Sequence, residues 1–338
     1  QQRPPLAFIT GASSGIGQAL ALRFHRSGYR LALVARRTSE VKTWASAQGI
    51  SADSYEIYSA DVAVTDSIVA AGRDCIARQG VPDVVIANAG ISVGMDTAVR
   101  DDIDVMARTF ATNNIGVAAT FHPFADAMAQ RGSGTLVGIG SVAGIRGLPG
   151  HGAYCASKAA VISYCESLRG EMRPHGVRVV TISPGYIDTP LTRQNRYSMP
   201  FLMQADDFAD RAFRAITAGV SYRVIPWQMG VVAKLLRMVP NVLFDKLLSL
   251  PVRYYDRVNS SKLIARMSYH VEQIADMLGA LDAGGPVLIP VFALGKTQEL
   301  LALLYESKKS GALRGGFGLY VGGLSAKITA VVRTPDWQ

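Results

Sequence analysis

Up to about residue 225, short apolar runs alternate with longer segments of helical periodicity. Leu6–Thr10 is the first run, and its apolar residues are consecutive rather than alternating. Behind it, Gln18–Ser27 repeats apolar positions every three or four residues and stops at Gly28. That order reads as strand, turn, helix. Arg30–Ala35, Tyr55–Tyr58, Asp83–Ala87, Thr135–Ile139, Val177–Ile182 and Tyr222–Ile225 read as further strands, with helical segments between them. Strands this apolar, alternating with helices, predict a parallel sheet covered on both faces.

Between the first strand and its helix lies Gly11-Ala-Ser-Ser-Gly15-Ile-Gly17. Glycines there let a backbone approach a pyrophosphate, and the helix N-terminus supplies N–H groups and partial positive charge. The predicted architecture is α/β, a Rossmann-like doubly wound parallel sheet of about seven strands over residues 1–250, with a C-terminal α/β appendage over 251–338. Tyr154 and Lys158 stand four apart, one turn from each other on one helix face. An ammonium beside a phenol favours the phenolate, so Lys158 is expected to pull the Tyr154 pKa toward neutrality. Ser141 follows the apolar run Gly134–Gly140, where a strand end presents its hydroxyl beside the same point.

Nearly half of the 338 residues are apolar and 18% are charged, enough for a large core. The net charge of +9 is spread along the chain without a dense basic tract, so nucleic acid is not the first partner to suggest. Cys75, Cys155 and Cys165 have neither metal-ligand nor paired spacing, which fits a reducing compartment. No apolar run reaches the ~18 residues of a spanning helix, and a cytoplasmic location is expected. The start at Gln1-Gln-Arg, without initiator methionine or signal sequence, suggests a trimmed or partial chain.

Together these residues resemble the short-chain dehydrogenase/reductase family over roughly residues 5–250. Thr10-Gly11-Ala12-Ser13-Ser14-Gly15-Ile16-Gly17 is similar to the family's cofactor motif, Asp61-Val62 to its adenine-side pair, and Asn88-Ala89-Gly90 to the turn after the fourth strand. Asn113, Ser141, Tyr154 and Lys158 match the catalytic tetrad, with Asn114 one position off the usual asparagine spacing. Pro184-Gly185-Tyr-Ile187-Asp-Thr189 resembles the segment that holds the nicotinamide carboxamide. The resemblance implies hydride transfer between a nicotinamide and a carbonyl or secondary alcohol. Tyr154 would be the general acid or base, Lys158 its tuning group and ribose contact, Ser141 the oxyanion contact, and Asn113 the anchor of a water. Such enzymes commonly form homodimers or homotetramers. The second strand ends Val34-Ala35-Arg36-Arg37, with no carboxylate before Glu40. Arginine matches a 2′-phosphate where an acid would match a 2′-hydroxyl, so NADP(H) is expected over NAD(H), with Arg36 ahead of Arg37.

The segment Leu191–Met203 stands where the family keeps its variable substrate lid. Tyr197, Met199, Phe201, Leu202 and Met203 there either line an apolar pocket for a lipophilic small molecule or pack onto the C-terminal helices. His151 reads as a wall or loop residue rather than a second base. Gly230–Val239 and Val242–Leu248 are apolar, basic helical segments divided by Pro240. They suit core or oligomer packing, or peripheral contact with a membrane surface.

Residues 251–338 begin a different pattern. Gly295-Lys-Thr297 lacks the glycine five positions earlier that a phosphate loop needs, since position 290 is proline. Gly284–Leu300 and Tyr320–Thr329 resemble part of the β-CASP region of metallo-β-lactamase-fold nucleases. The five histidines at 25, 122, 151, 175 and 270 are scattered, with no His-x-His-x-Asp-His motif for hydrolytic zinc. A fusion is one explanation. The alternative to an enzyme is therefore a non-catalytic nucleotide-binding fusion whose tail contacts RNA or a nuclease partner. A complete tetrad favours the enzyme, because a scaffold needs none of it.

Overall fold

The computed structural model describes residues 3–194, 199 and 201–238. The elements run β1 (Leu6–Thr10), α1 (Gly15–His25), β2 (Arg30–Ala35), α2 (Thr38–Ala47), β3 (Tyr55–Ser59), α3 (Thr65–Gln79), β4 (Val84–Ala87), α4 (Asp102–Phe110), α5 (Gly116–Arg131) and β5 (Gly134–Ile139). They continue with α6 (Gly152–Met172), β6 (Val177–Pro184), β7 (Ile187–Asp188), β8 (Met203–Gln204), α7 (Ala205–Thr217), β9 (Tyr222–Ile225) and α8 (Trp227–Met238). Seven strands form one sheet in the order β3-β2-β1-β4-β5-β6-β9, every neighbouring pair parallel. All seven strands expected from the apolar runs are present. The strand order reverses between β1 and β4, and a crevice at the carboxyl ends of the strands is where such a sheet takes a ligand.

Side chains alternate across the sheet, so each apolar run feeds two cores. Phe8 packs with Phe124, ring centroids 4.7 Å apart, in the core that also holds Ile68 and Phe121. Its neighbour Ile9 faces the other core, with Leu20, Phe24 and Phe208. Each of these large side chains is under 2% exposed, and burial of one contributes about 2–3 kcal/mol. Arg169 locks α6 to the sheet by donating to the Val179 carbonyl at 2.9 Å and the Thr181 hydroxyl at 3.1 Å. That fixes the helix on which Tyr154 and Lys158 ride.

Several boundaries differ from the apolar pattern: β3 and β6 run on to Ser59 and Pro184, and β5 starts one residue earlier, at Gly134. The α1 helix begins at Gly15 rather than Gln18, because the last glycines of the turn already supply its first residues. Asp83 precedes β4, its carboxylate accepting the Leu6 N–H at 2.8 Å. Cys75, Cys155 and Cys165 are buried and unpaired. Among the described residues no helix is long and apolar enough to cross a membrane, and no side-chain cluster could hold a metal ion. Tyr197, the helical segment at 242–248 and the appendage at 251–338 lie outside the described residues.

Candidate functional site

The glycine turn is held by atoms that leave no room for a side chain. A Cβ on Gly17 would stand 2.1 Å from the Gly11 carbonyl oxygen, and one on Gly11 would stand 2.9 Å from Ala89 Cα at a φ of +70°. Thr10 ties the turn to the end of β4. Its hydroxyl accepts the N–H groups of Asn88 and Ala89 at 3.0 and 3.1 Å, and the Asn88 amide donates to the Thr10 carbonyl at 3.0 Å. The first turn of α1 carries no acidic side chain to neutralise its N–H groups. These features fit a phosphate-bearing cofactor.

A cleft of about 430 Å³ opens above this turn. It takes in every residue expected to contact cofactor except Gly17, which stands behind the turn against Gly11. Arg36 and Arg37 form its outer rim. Arg36 lies 3.5 Å from the Asp61 carboxylate, while Arg37 pairs with Glu40 at 3.2 Å and donates to the Ser13 hydroxyl at 3.4 Å.

At the inner end, Tyr154 and Lys158 occupy consecutive turns of α6. Lys158 is 5% exposed, its ammonium donating to the Ile139 carbonyl at 2.9 Å and lying 5.8 Å from the centre of the Tyr154 ring. Ser141, just beyond β5, hydrogen-bonds the Tyr154 side chain and accepts the Ala143 N–H at 3.1 Å. Burial pushes the Tyr154 phenol up, against a smaller downward pull from the Ser141 bond. Burial also brings Lys158 down to about 8. The expected shift of Tyr154 toward neutrality is therefore not what this geometry produces. Removal of water penalises the charged form of both groups.

Asn113 sits in a π-helical turn over Ala111–Ile115 that joins α4 to α5. The turn leaves it fully buried behind the cleft wall. Its amide oxygen accepts the Ile91 N–H at 2.9 Å, and its amide nitrogen donates to the Ile91 carbonyl and the Ser157 hydroxyl, both at 2.9 Å. Both amide protons are thus committed within the protein. Sequence reasoning passed over Ser157, although it lies inside the Tyr154–Lys158 interval. It also passed over Ile91 and Thr112, which line the cleft.

The segment after β6 folds back on itself where Ile187 and Asp188 pair in parallel with Met203 and Gln204. Arg193 holds Asp188 at 2.8 Å and keeps its carboxyl below the usual range. Leu191 lines the cleft, whereas Phe201 and Leu202 are exposed and Met203 packs against the core beside α7. Among the described residues, the apolar wall expected from Met199, Phe201, Leu202 and Met203 is not part of this cleft. The two-residue pairing of β7 with β8 turns Met203 inward instead. His151 caps the start of α6 through its carbonyl, which accepts the Cys155 N–H at 2.9 Å, in keeping with a loop residue.

A family model described as short chain dehydrogenase matches residues 5–199. An uncharacterized oxidoreductase of Myxococcus xanthus is 38% identical over 242 residues, 71% of this chain and 94% of that protein. A dehydrogenase/reductase SDR family protein 7-like of Anopheles gambiae is 34% identical over 55% of this chain, which spans only 60% of that relative's length. Among solved structures, a short-chain dehydrogenase from Sphingobium yanoikuyae in complex with NADPH superposes with a TM-score of 0.60 at 26% identity. That match covers 73% of this chain and 96% of the other.

Proposed function

The chain belongs to the short-chain dehydrogenase/reductase family and is an NAD(P)-dependent oxidoreductase, and we propose that it interconverts a lipophilic ketone and secondary alcohol with NADP(H). The observation that carries this reading is that one cleft holds the glycine turn, the two arginines and the Ser141–Tyr154–Lys158 group together. The nicotinamide, when bound, supplies or accepts the hydride. Arg36 and Arg37 at the cleft rim would supply charge-assisted bonds to a 2′-phosphate, and the α1 N–H groups would hold the pyrophosphate.

Tyr154 gives its phenolic proton to the carbonyl oxygen in reduction and takes one from the alcohol in oxidation. Ser141, already bonded to the phenol, donates to the same oxygen as charge develops on it. Lys158 at about 8 stays largely protonated at neutral pH, so its cation remains available to steady the phenolate when Tyr154 has lost its proton. Asn113 has spent both amide protons, so a water on the path from Lys158 to solvent would be held by its remaining acceptors. Leu191 and Ile91 give the cleft its apolar wall, which is the basis for a lipophilic substrate. A second copy of the chain would cover the apolar ground around Ile115, just before α5, and Tyr164 on α6, both exposed.

The test combines NADPH fluorescence with turnover of a carbonyl panel that includes acetophenone and 2-decanone. Tyr154→Phe is expected to lower kcat about 10³-fold while NADPH binding stays within twofold. Full activity in that variant, or NADPH binding no tighter than NADH, would remove the corresponding part of the proposal.

A further inference from the structure

Ser157 lies between Tyr154 and Lys158 in sequence, and its side chain is fully buried. Its hydroxyl donates to the Tyr154 carbonyl at 2.8 Å and accepts from the Asn113 amide nitrogen at 2.9 Å. Its own carbonyl accepts from the Asn114 amide at 2.8 Å. Two successive residues of the π-helical turn therefore both bond to this one position on α6.

The directions of these bonds are determined. Ile91 presents an N–H and a carbonyl to the Asn113 amide, and only one orientation of that amide matches both. The remaining amide proton then points at Ser157, whose oxygen must accept it. A hydroxyl has one proton, and the Tyr154 carbonyl is the acceptor facing it. The result is a one-way chain from the Ile91 backbone in the cleft wall, through Asn113 and Ser157, to the backbone of Tyr154. No link in it touches the cleft through Ser157 itself.

We propose that Ser157 is a positioning residue, holding the turn of α6 that carries Tyr154 and Lys158 in register with the cleft wall at Ile91. This rests on the reading of Tyr154 as acid and base. Alanine at 157 removes the acceptor of Asn113 and the donor to Tyr154 together, so α6 loses its directional tie to the cleft wall at Ile91. The loss acts on the approach of the phenol to the reacting oxygen, and cofactor contacts on the glycine turn are untouched.

The experiment uses the full chain, NADPH, and whichever of acetophenone and 2-decanone turns over. Ser157→Ala is expected to lower kcat about tenfold, with KM and NADPH affinity within about twofold. Ser157→Cys keeps the shape and weakens both bonds, so about a threefold loss of kcat is expected, with the same split. That variant carries the test if the alanine chain does not accumulate. Asn114→Ala cuts a bond of similar length to the backbone of the same residue and gives the thermal shift of a purely structural tie. Parental kcat in the Ser157 variants, with only a lowered Tm, overturns the proposal. Tyr154→Phe run alongside keeps the two readings apart. Full activity there removes the acid–base reading, whereas an inactive Tyr154→Phe beside a fully active Ser157→Ala removes this proposal alone.

Discussion

At the outer end of the cleft, the side chains of Arg36 and Arg37 are 69% and 59% exposed and are joined to Asp61, Glu40 and Ser13 by contacts of 3.2–3.5 Å. At the inner end, Asn113, Ser157 and Lys158 are at most 5% exposed; Asn113 donates to Ser157, Ser157 to the Tyr154 carbonyl and Lys158 to the Ile139 carbonyl, all at 2.8–2.9 Å. Charge pairs in water are worth little and rearrange freely. A dry network is over-determined, since a broken link leaves a buried polar group without a partner. The choice of cofactor is thus separable from the chemistry. Substitutions at the rim should retune affinity, while substitutions inside should alter turnover and stability together.

The contrast is tested most severely at Lys158. Lys158→Met is expected to lower kcat about 10³-fold, because it removes the cation beside Tyr154. It should also make the chain more stable at pH 7. Burial lowers the lysine from its ordinary 10.5 to about 8 in the folded protein. Below pH 8 both states are protonated, and folding carries the whole cost of burying the ammonium. Between about 8 and 10.5 the folded chain gives up the proton that the unfolded chain keeps, so parental stability rises with pH. The advantage of Lys158→Met, at most about 3 kcal/mol, should therefore shrink from pH 7 to pH 10. Buried Cys75 and Tyr58 shift the other way above pH 9, equally in both proteins, whereas the Cys165 thiol loses the downward pull of Lys158 in the variant. Urea unfolding of the pair at pH 7 and 9.5 measures the change, and a constant gap would mean the lysine is not buried as a cation.

The glycine turn lies between the two regimes. It belongs to the cofactor end, yet it is built with the close contacts of the interior. Gly17→Ala places a methyl 2.1 Å from a backbone oxygen that cannot rotate away. A loss of about 2–3 kcal/mol is expected, lowering Tm by about 5–10 °C, together with the loss of NADPH binding. A variant that keeps its Tm and loses only cofactor would place the turn with the soft rim instead.

Much of this was legible from residue order. The central strands are covered on both faces, so their consecutive apolar residues leave a strong signal in one dimension. β3 was fainter, since an edge strand mixes in Glu56 and Ser59. The glycine turn and the Tyr154–Lys158 pair were legible because each answers to a local spacing, whereas Asn113 came only with the family resemblance. What escaped depends on contacts between distant segments. The π-helical turn at Asn113 is five residues long, between two helices and too short for a periodicity of its own. Its placement follows from bonds to Ile91 and Ser157, 22 and 44 residues away. The β7–β8 pairing is two residues long, too short for any periodicity to reveal, and it decides that Met203 faces the core. The sign of the Tyr154 shift was misjudged because spacing reports the neighbour and not the loss of water. The scaffold alternative loses ground for a related reason: Lys158 and Asn113 are buried polar groups with specific partners, costly to keep without use.

The smallest effects are expected at the rim, and they test whether it recognises phosphate at all. Arg37, just before α2, reaches to Ser13 on the glycine turn, and Arg36 reaches to Asp61 beyond the end of the neighbouring strand β3. A phosphate entering between them would exchange weak contacts with Ser13 and Asp61 for charge-assisted bonds. Arg36→Ala and Arg37→Ala should each weaken NADPH binding about tenfold, leave NADH binding unchanged, and leave Tm unaltered. Equal losses for both cofactors would make the arginines general supports of the pocket. The double variant adds the stricter condition, because arginines sharing one phosphate should lose less together than the sum of their separate effects. Salt separates the two ends of the cleft without any mutation. Exposed charges are screened within about 10 Å at 0.1 M ionic strength. Added salt should therefore erode the preference for NADPH over NADH while kcat with saturating cofactor, set in the buried network, stays the same.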